Sequence, residues 1–368
     1  MKVLILANKS TGLYKFRGEL LEAMIARNYE VYISVPKGDF IAEMEQMGCH
    51  VIETELSRRG TNPFADLALI KKYCSLIKSV KPNIVLTYTI KPNVYGGIAC
   101  QRCNVPYVAN VTGLGTAVEN GGILQKITLA LYRVGLRKAK KVFFQNNDNQ
   151  QFMQSHGVAK VPNALLPGSG VNLERFMPLP YPDEDNGTHF VFISRIMLQK
   201  GIEQYLDAAI YFANHSEVTQ GRRIVFHVCG FCEKEYQGKL EEMVAKGVVV
   251  YHGMVRDVRE ILKDVHCTIH PSFYPEGISN VLLESCASAR PIITTDNNGC
   301  RQVIEDGKNG YIVKQRDSAD LIEKIEKFLA LSHEQKMQMG LAGRTKVEKE
   351  FDRRIVVEIY MKEIEDLK

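Results

Sequence analysis

The sequence predicts an α/β protein built from two doubly wound parallel sheets, one in each half of the chain. Three observations carry that expectation. Short apolar runs alternate with helical patterns throughout. The alternation is interrupted by a connector rich in glycine and proline, Pro167-Gly168-Ser169-Gly170 followed by Pro178, Pro180 and Pro182, after which it restarts. A length of 368 residues gives two domains of ordinary size, each able to close its own core.

Composition narrows the class. Hydrophobic residues make up 45% and charged residues 24%, as in a soluble globular chain. No run of about 18 apolar residues appears, so no membrane span is expected. Val3–Ala7 is too short for the apolar core of an export signal. Nine cysteines, an odd number without regular spacing, point to reduced thiols in the cytoplasm. Residues 1–170 hold 21 Lys/Arg against 11 Asp/Glu, a net of +10, whereas residues 171–368 net −5. The basic half suits an anionic membrane face or a phosphorylated substrate. Without a helix-turn-helix, RNP-like or zinc-finger pattern, nucleic acid is not an expected partner.

In chain order, Lys2–Ala7 reads as a buried strand, Asn8–Gly12 as a turn and Phe16–Ala26 as an amphipathic helix. Strands follow at Glu30–Val35, His50–Ile52, Ile84–Tyr88 and Tyr107–Val111, with a helix over Leu67–Val80. In such sheets ligands sit beyond the carboxyl ends of the strands, which singles out the loops Asn8–Arg17, Thr89–Asn93 and Thr112–Gly115. Gly113-Leu114-Gly115-Thr116-Ala117-Val118 half-matches a dinucleotide fingerprint. Ile123–Lys141 reads as a helix whose stripe Ile123, Ile127, Leu131 and Val134 packs on the sheet. Its six cations, Lys126, Arg133, Arg137, Lys138, Lys140 and Lys141, are free to face anionic lipid. Val142–Gln145 and Ala164–Leu166 close the first half.

The second half opens with a strand at Phe190–Ile193, and Arg195 and Lys200 stand between it and a helix over Glu203–Phe212. A guanidinium fork and an ammonium placed there suit a diphosphate. Strands follow at Ile224–Cys229, Val248–His252, Cys267–His270, Ile292–Thr295 and Tyr311–Val313, then mostly helix from Asp317 onward. Between two of these strands lies Glu276-Gly277-Ile278-Ser279-Asn280, and Glu284 comes eight residues after Glu276. Ser279 reads as the hydroxyl cap of a helix, so the two carboxylates bracket a helix N-terminus suited to phosphate. His270 reads as a structural histidine. The pairs Cys100/Cys103 and Cys229/Cys232 and the triplet Asp183-Glu184-Asp185 lack the context of a metal site, and no metal is expected.

The series Arg195-x4-Lys200-Gly201, Pro271-Ser272, Glu276-Gly277, Glu284 and Asn309-Gly310 closely resembles the retaining glycosyltransferases of family 4. The resemblance implies a GT-B fold, two Rossmann-like domains facing a cleft. Residues 1–168 would bind acceptor, with 351–368 crossing back onto them, and residues 169–350 would bind the nucleotide sugar. It gives catalytic roles to Glu276, Arg195 and Lys200 and donor binding to Gly277, Ile278, Ser279, Asn280 and Glu284, with a UDP-sugar as donor and neither cofactor nor metal. Tyr14-Lys15-Phe16-Arg17 and Thr89-Ile90-Lys91-Pro92-Asn93 resemble bacterial members that extend glycans on undecaprenyl diphosphate. That likeness implies a lipid-linked glycan acceptor, Lys15, Arg17, Lys91 and Thr112 on the acceptor side, and a peripheral place on the inner face of the cytoplasmic membrane. The chain departs from the family at Asn110-Val111-Thr112-Gly113, where many members carry histidine, and at Gln302, where many carry glutamate. A UDP-sugar epimerase on the same fold, or a non-enzymatic partner that binds nucleotide or glycan, are the rival expectations.

Overall fold

A computed structural model of the chain describes all residues except 57–61, 116–117, 119–120, 216, 218–220 and 367–368. Thr116 and Ala117 of the half-matched fingerprint therefore lie outside the described residues. The chain divides into two compact units, Met1–Gly170 with Arg353–Lys368, and Val171–Asp352.

Unit 1 runs β1 (Lys2–Leu6), α1 (Ser10–Ala26), β2 (Glu30–Val35), α2 (Ile41–Gln46), β3 (His50–Glu53), α3 (Pro63–Val80), β4 (Ile84–Tyr88), a π-helical turn Pro92–Gly96, α4 (Gly97–Cys103), β5 (Tyr107–Val111), α5 (Gly122–Leu136), β6 (Lys141–Phe144), α6 (Asn147–Ser155) and β7 (Asn163–Leu165). All seven strands are parallel, in the order β3-β2-β1-β4-β5-β6-β7. Helices cover both faces, so central strands read as unbroken apolar runs, with Val3, Leu4, Ile5 and Leu6 all fully buried.

Three expectations are corrected here. The segment read as a turn over Asn8–Gly12 is helical from Ser10, so the loop after β1 is only a few residues long. Three of the four residues of the stripe assigned to the core on α5 face outward, Ile123, Ile127 and Val134 being 78%, 52% and 49% exposed, while Leu131 is partly buried against the core. The buried face is Thr128, Leu129, Tyr132, Gly135 and Leu136. Close packing at Gly135 selects it, because a Cβ there would meet Val94 Cα at 2.6 Å. The helix ends at Leu136 rather than Lys141, so only Lys126 and Arg133 of the six cations lie on it. Arg137, Lys138 and Lys140 follow it and are exposed like those two, and Lys141 begins β6 and is held by Glu363 at 2.7 Å.

Unit 2 runs β8 (Thr188–Ile193), α7 (Ile202–Asn214), β9 (Ile224–Cys229), α8 (Lys234–Ala245), β10 (Val250–Tyr251), α9 (Arg259–Leu262), β11 (Cys267–His270), α10 (Asn280–Ala287), β12 (Ile292–Thr295), β13 (Gly310–Val313), α11 (Ser318–Leu329) and α12 (His333–Glu350). Its six strands are parallel in the order β10-β9-β8-β11-β12-β13. The last helix, α13 (Arg353–Glu365), belongs to unit 1. Val356, Tyr360, Met361 and Ile364 complete the core beneath α1. Arg353, 7% exposed, donates to Glu19 at 2.8 and 2.9 Å and to the carbonyls of Lys15 and Gly170.

Candidate functional site

In an open parallel sheet the ligand crevice forms where the strand order reverses. In unit 2 that point lies between β8 and β11. Arg195 and Lys200 leave the end of β8, and Glu276 follows β11. Gly201, at φ +76°, lets the two loops meet, since a Cβ there would stand 2.0 Å from Pro271 O. The Phe273 N–H then donates to Gln199 O at 2.9 Å. Gly299, at φ +80°, fits as tightly against Gly277 O. Gln302, in the position where the resemblance led us to expect glutamate, accepts the Gly299 N–H at 2.8 Å and so holds this loop.

Within this frame the Lys200 ammonium donates to the Glu276 carboxylate. Ser272 Oγ donates to Glu276 Oε1 at 3.4 Å, and His270 Nε2 lies 3.6 Å from that oxygen. Tyr274 underlies both cations, its ring 4.9 Å from Lys200 Nζ and 5.6 Å from the Arg195 guanidinium. Arg195 also reaches Glu233 at 3.7 Å. Burial pulls the Lys200 ammonium down to about 7, and the charge of Arg195 pushes the same way. Burial and the Lys200 charge hold the His270 imidazole well below its ordinary range, so it is neutral near pH 7.

Three sequence readings change in detail. Ser279 stands at the N-cap of α10, but its hydroxyl meets His270 Nε2 at 3.3 Å and makes no cap bond. His270 is no satisfied core histidine: its Nδ1 has no hydrogen-bond partner among the described residues. Ile278 is buried in the core beneath α10, so its side chain is not available to a ligand. Asn280 Oδ1 is buried without a partner among the described residues, and Glu284 is half-buried on α10. Tyr274 and Glu233 went unread in the sequence. An aromatic between Ser272 and Glu276 was the available signal for the first, and nothing local marks the second.

In unit 1 the strand order reverses between β1 and β4. Thr89, just past β4, holds φ at +73°, a conformation that is costly for a β-branched residue. Arg17 turns into the core, 4% exposed, its guanidinium 5.4 and 5.9 Å from the rings of Tyr88 and Tyr360. Asn110, first of the four residues that stand where many family members carry a histidine, donates through Nδ2 to Tyr360 Oη. Lys15 lies over Phe40 at 5.7 Å, Thr112 is half-buried past β5, and Lys91 pairs with Asp66 at 2.8 Å. Among the described residues no three His, Cys, Asp or Glu side chains converge to hold a metal ion. Glu184 of the acidic triplet pairs with the buried Lys336, and all nine cysteines are free thiols.

Two family models match the chain, one for each unit's sheet: glycosyl transferase 4-like over residues 2–146 and glycosyl transferases group 1 over residues 187–330. The chain is a glycosyltransferase. An N,N'-diacetylbacillosaminyl-diphospho-undecaprenol alpha-1,3-N-acetylgalactosaminyltransferase from Campylobacter jejuni is 24% identical to it over 98% of each chain. A UDP-Gal:alpha-D-GlcNAc-diphosphoundecaprenol alpha-1,3-galactosyltransferase from Escherichia coli is 24% identical over 73% of this glycosyltransferase and 71% of the relative. Among solved structures, Anabaena HepE in complex with UDP and glucose superposes with a TM-score of 0.79 at 17% identity, over the whole of both chains. The fold of this glycosyltransferase is GT-B.

Proposed function

We propose that this glycosyltransferase moves a hexose or N-acetylhexosamine from a UDP-sugar, with retention of anomeric configuration, to a polyprenyl-diphosphate-linked glycan. The product would serve surface polysaccharide or glycoprotein glycan assembly at the inner face of the cytoplasmic membrane. The observation that carries the reading is the convergence of Arg195, Lys200, Glu276, His270 and Ser272 on the switch point of unit 2.

The arrangement suits departure of a diphosphate. Lys200, paired with Glu276 in the free protein, exchanges that carboxylate for phosphate oxygens when donor binds. Glu276 is thereby released toward the sugar. Arg195 neutralises the second phosphate as negative charge grows on the leaving group. His270, neutral and adjacent to Ser279 and Glu276, orients the carboxylate without adding charge. Glu284 takes the ribose hydroxyls, and the Gly277–Asn280 backbone approaches phosphate and sugar oxygens.

For the acceptor and donor classes, support comes from the names of the relatives: the Campylobacter and Escherichia proteins act on diphospho-undecaprenol substrates, and the second takes UDP-Gal. The Anabaena neighbour holds UDP and glucose. For the membrane, support comes from α5, where exposed Ile123, Leu124 and Ile127 stand beside exposed Lys126 and Arg133. The test is UDP release across a panel of UDP-sugars, with and without a polyprenyl-diphosphate-linked glycan, followed by NMR of the product's anomeric proton. Acceptor-dependent release and an α product are expected from an α-configured donor. Turnover of UDP-sugar without acceptor would favour the epimerase, and an inverted product would reject retention.

A further inference from the structure

A hollow of about 600 Å³ opens in unit 1 beside the first turns of α3, beyond the carboxyl ends of β2 and β3. Three lysines reach it from three separate elements: Lys37 after β2, Lys72 from α3, and Lys91 from the connector after β4. Lys91 is engaged by Asp66, which also accepts from Tyr95 Oη at 2.6 Å. Lys37 and Lys72 are exposed and have no carboxylate partner among the described residues. Two carboxylates, Asp66 and the exposed Glu55, line the hollow with the three lysines, which leaves a net charge of +1, and part of the wall is apolar, formed by Leu56 and Leu69. The same turns of α3 leave Phe64 82% and Leu67 52% exposed.

Ammonium groups alone would suit any anion, and an apolar wall alone would suit any greasy ligand. Joined in one hollow, with exposed apolar side chains on the helix that borders it, they match a diphosphate ester that carries a hydrocarbon chain. The N-terminal end of this 18-residue helix adds a positive dipole on the same side. We propose that this hollow holds the diphosphate of the lipid-linked acceptor. Lys37 and Lys72 bind its oxygens, Lys91 joins them by exchanging Asp66 for phosphate, and the hydrocarbon leaves past Phe64 and Leu67. The assignment rests on the transfer reading above.

The test is calorimetric titration of the full chain with farnesyl diphosphate, farnesol and inorganic pyrophosphate. The wild type is compared with Lys37→Gln/Lys72→Gln and with Phe64→Ser/Leu67→Ser, each checked for an unchanged Tm. Farnesyl diphosphate should bind most tightly. The lysine pair should weaken it on the order of a hundredfold, about tenfold for each charge-assisted contact. The serine pair should bring farnesyl diphosphate down to the level of pyrophosphate and leave pyrophosphate itself unchanged. UDP affinity should stay constant in all three proteins. Wild-type affinity in the lysine pair, or farnesol binding as well as farnesyl diphosphate, overturns the assignment. Assays of sugar transfer on the same preparations separate the two readings. Normal transfer by the lysine pair removes the site and leaves the function, whereas diphosphate binding without transfer to any lipid-linked glycan removes the function and leaves the site.

Discussion

Lys200 is charged below about pH 7 and neutral above it in the free protein, because burial disfavours the ammonium. In the donor complex proposed above, the diphosphate favours the charged form and raises that value again, so donor binding above pH 7 should take up a proton. The sign is fixed: UDP affinity falls as pH rises past 7, by up to about tenfold per unit, until the pKa of the complex is reached. Calorimetry in buffers of different ionisation enthalpy reads the proton directly. Lys200→Arg, whose guanidinium stays charged, should flatten the profile, and a flat profile in the wild type would mean that Lys200 does not meet the diphosphate. Arg195→Ala and Lys200→Ala should each lower turnover ~10²–10³-fold without unfolding the chain. That Arg195 and Lys200 would come together near Glu276 was legible in the sequence because their types and spacing state a chemistry. The Ser279 hydroxyl was not: its choice of His270 over the helix backbone depends on how β11 meets α10, which no local pattern records.

At the scale of elements, the strands were read almost residue by residue. Glu30–Val35, Ile84–Tyr88, Tyr107–Val111, Ile224–Cys229 and Ile292–Thr295 coincide with β2, β4, β5, β9 and β12. Strands buried on both faces announce themselves as apolar runs. Helix α5 was found but rotated, since it carries two apolar stripes at helical spacing and only the close approach at Gly135 decides between them. The outward stripe changes what is expected at a membrane. Cations draw the helix to anionic lipid at ~1 kcal/mol each, an attraction screened over ~8 Å at physiological salt. Buried Ile or Leu side chains add roughly 1.5–3 kcal/mol each, indifferent to salt. Binding to anionic vesicles should therefore weaken but persist in high salt, and Ile123→Ser/Ile127→Ser should abolish the persistent part in a sedimentation assay. Complete release of the wild type by salt would show that the stripe does not enter the bilayer.

Taken whole, the molecule makes unit 1 from both ends of the chain. The likeness to the family implied that residues 351–368 return to the first half, and the structure gives α13 four core side chains in unit 1. Four apolar side chains at roughly 1.5–3 kcal/mol each sum to about 6–12 kcal/mol, as large as the whole stability of a domain. A chain ending at Asp352 should thus lose unit 1 to limited proteolysis while fragments of Val171–Asp352 resist, and equal resistance of both units would contradict that role for α13. The same feature sets an order of events during synthesis. Unit 2 is contiguous and can close as soon as it leaves the ribosome, but β1 to β7 must wait until α13 has been made. At roughly 5–20 residues per second the wait is on the order of ten seconds. For that interval the face of the sheet beneath α1 lacks its cover, so the nascent first half is where a chaperone has most to bind.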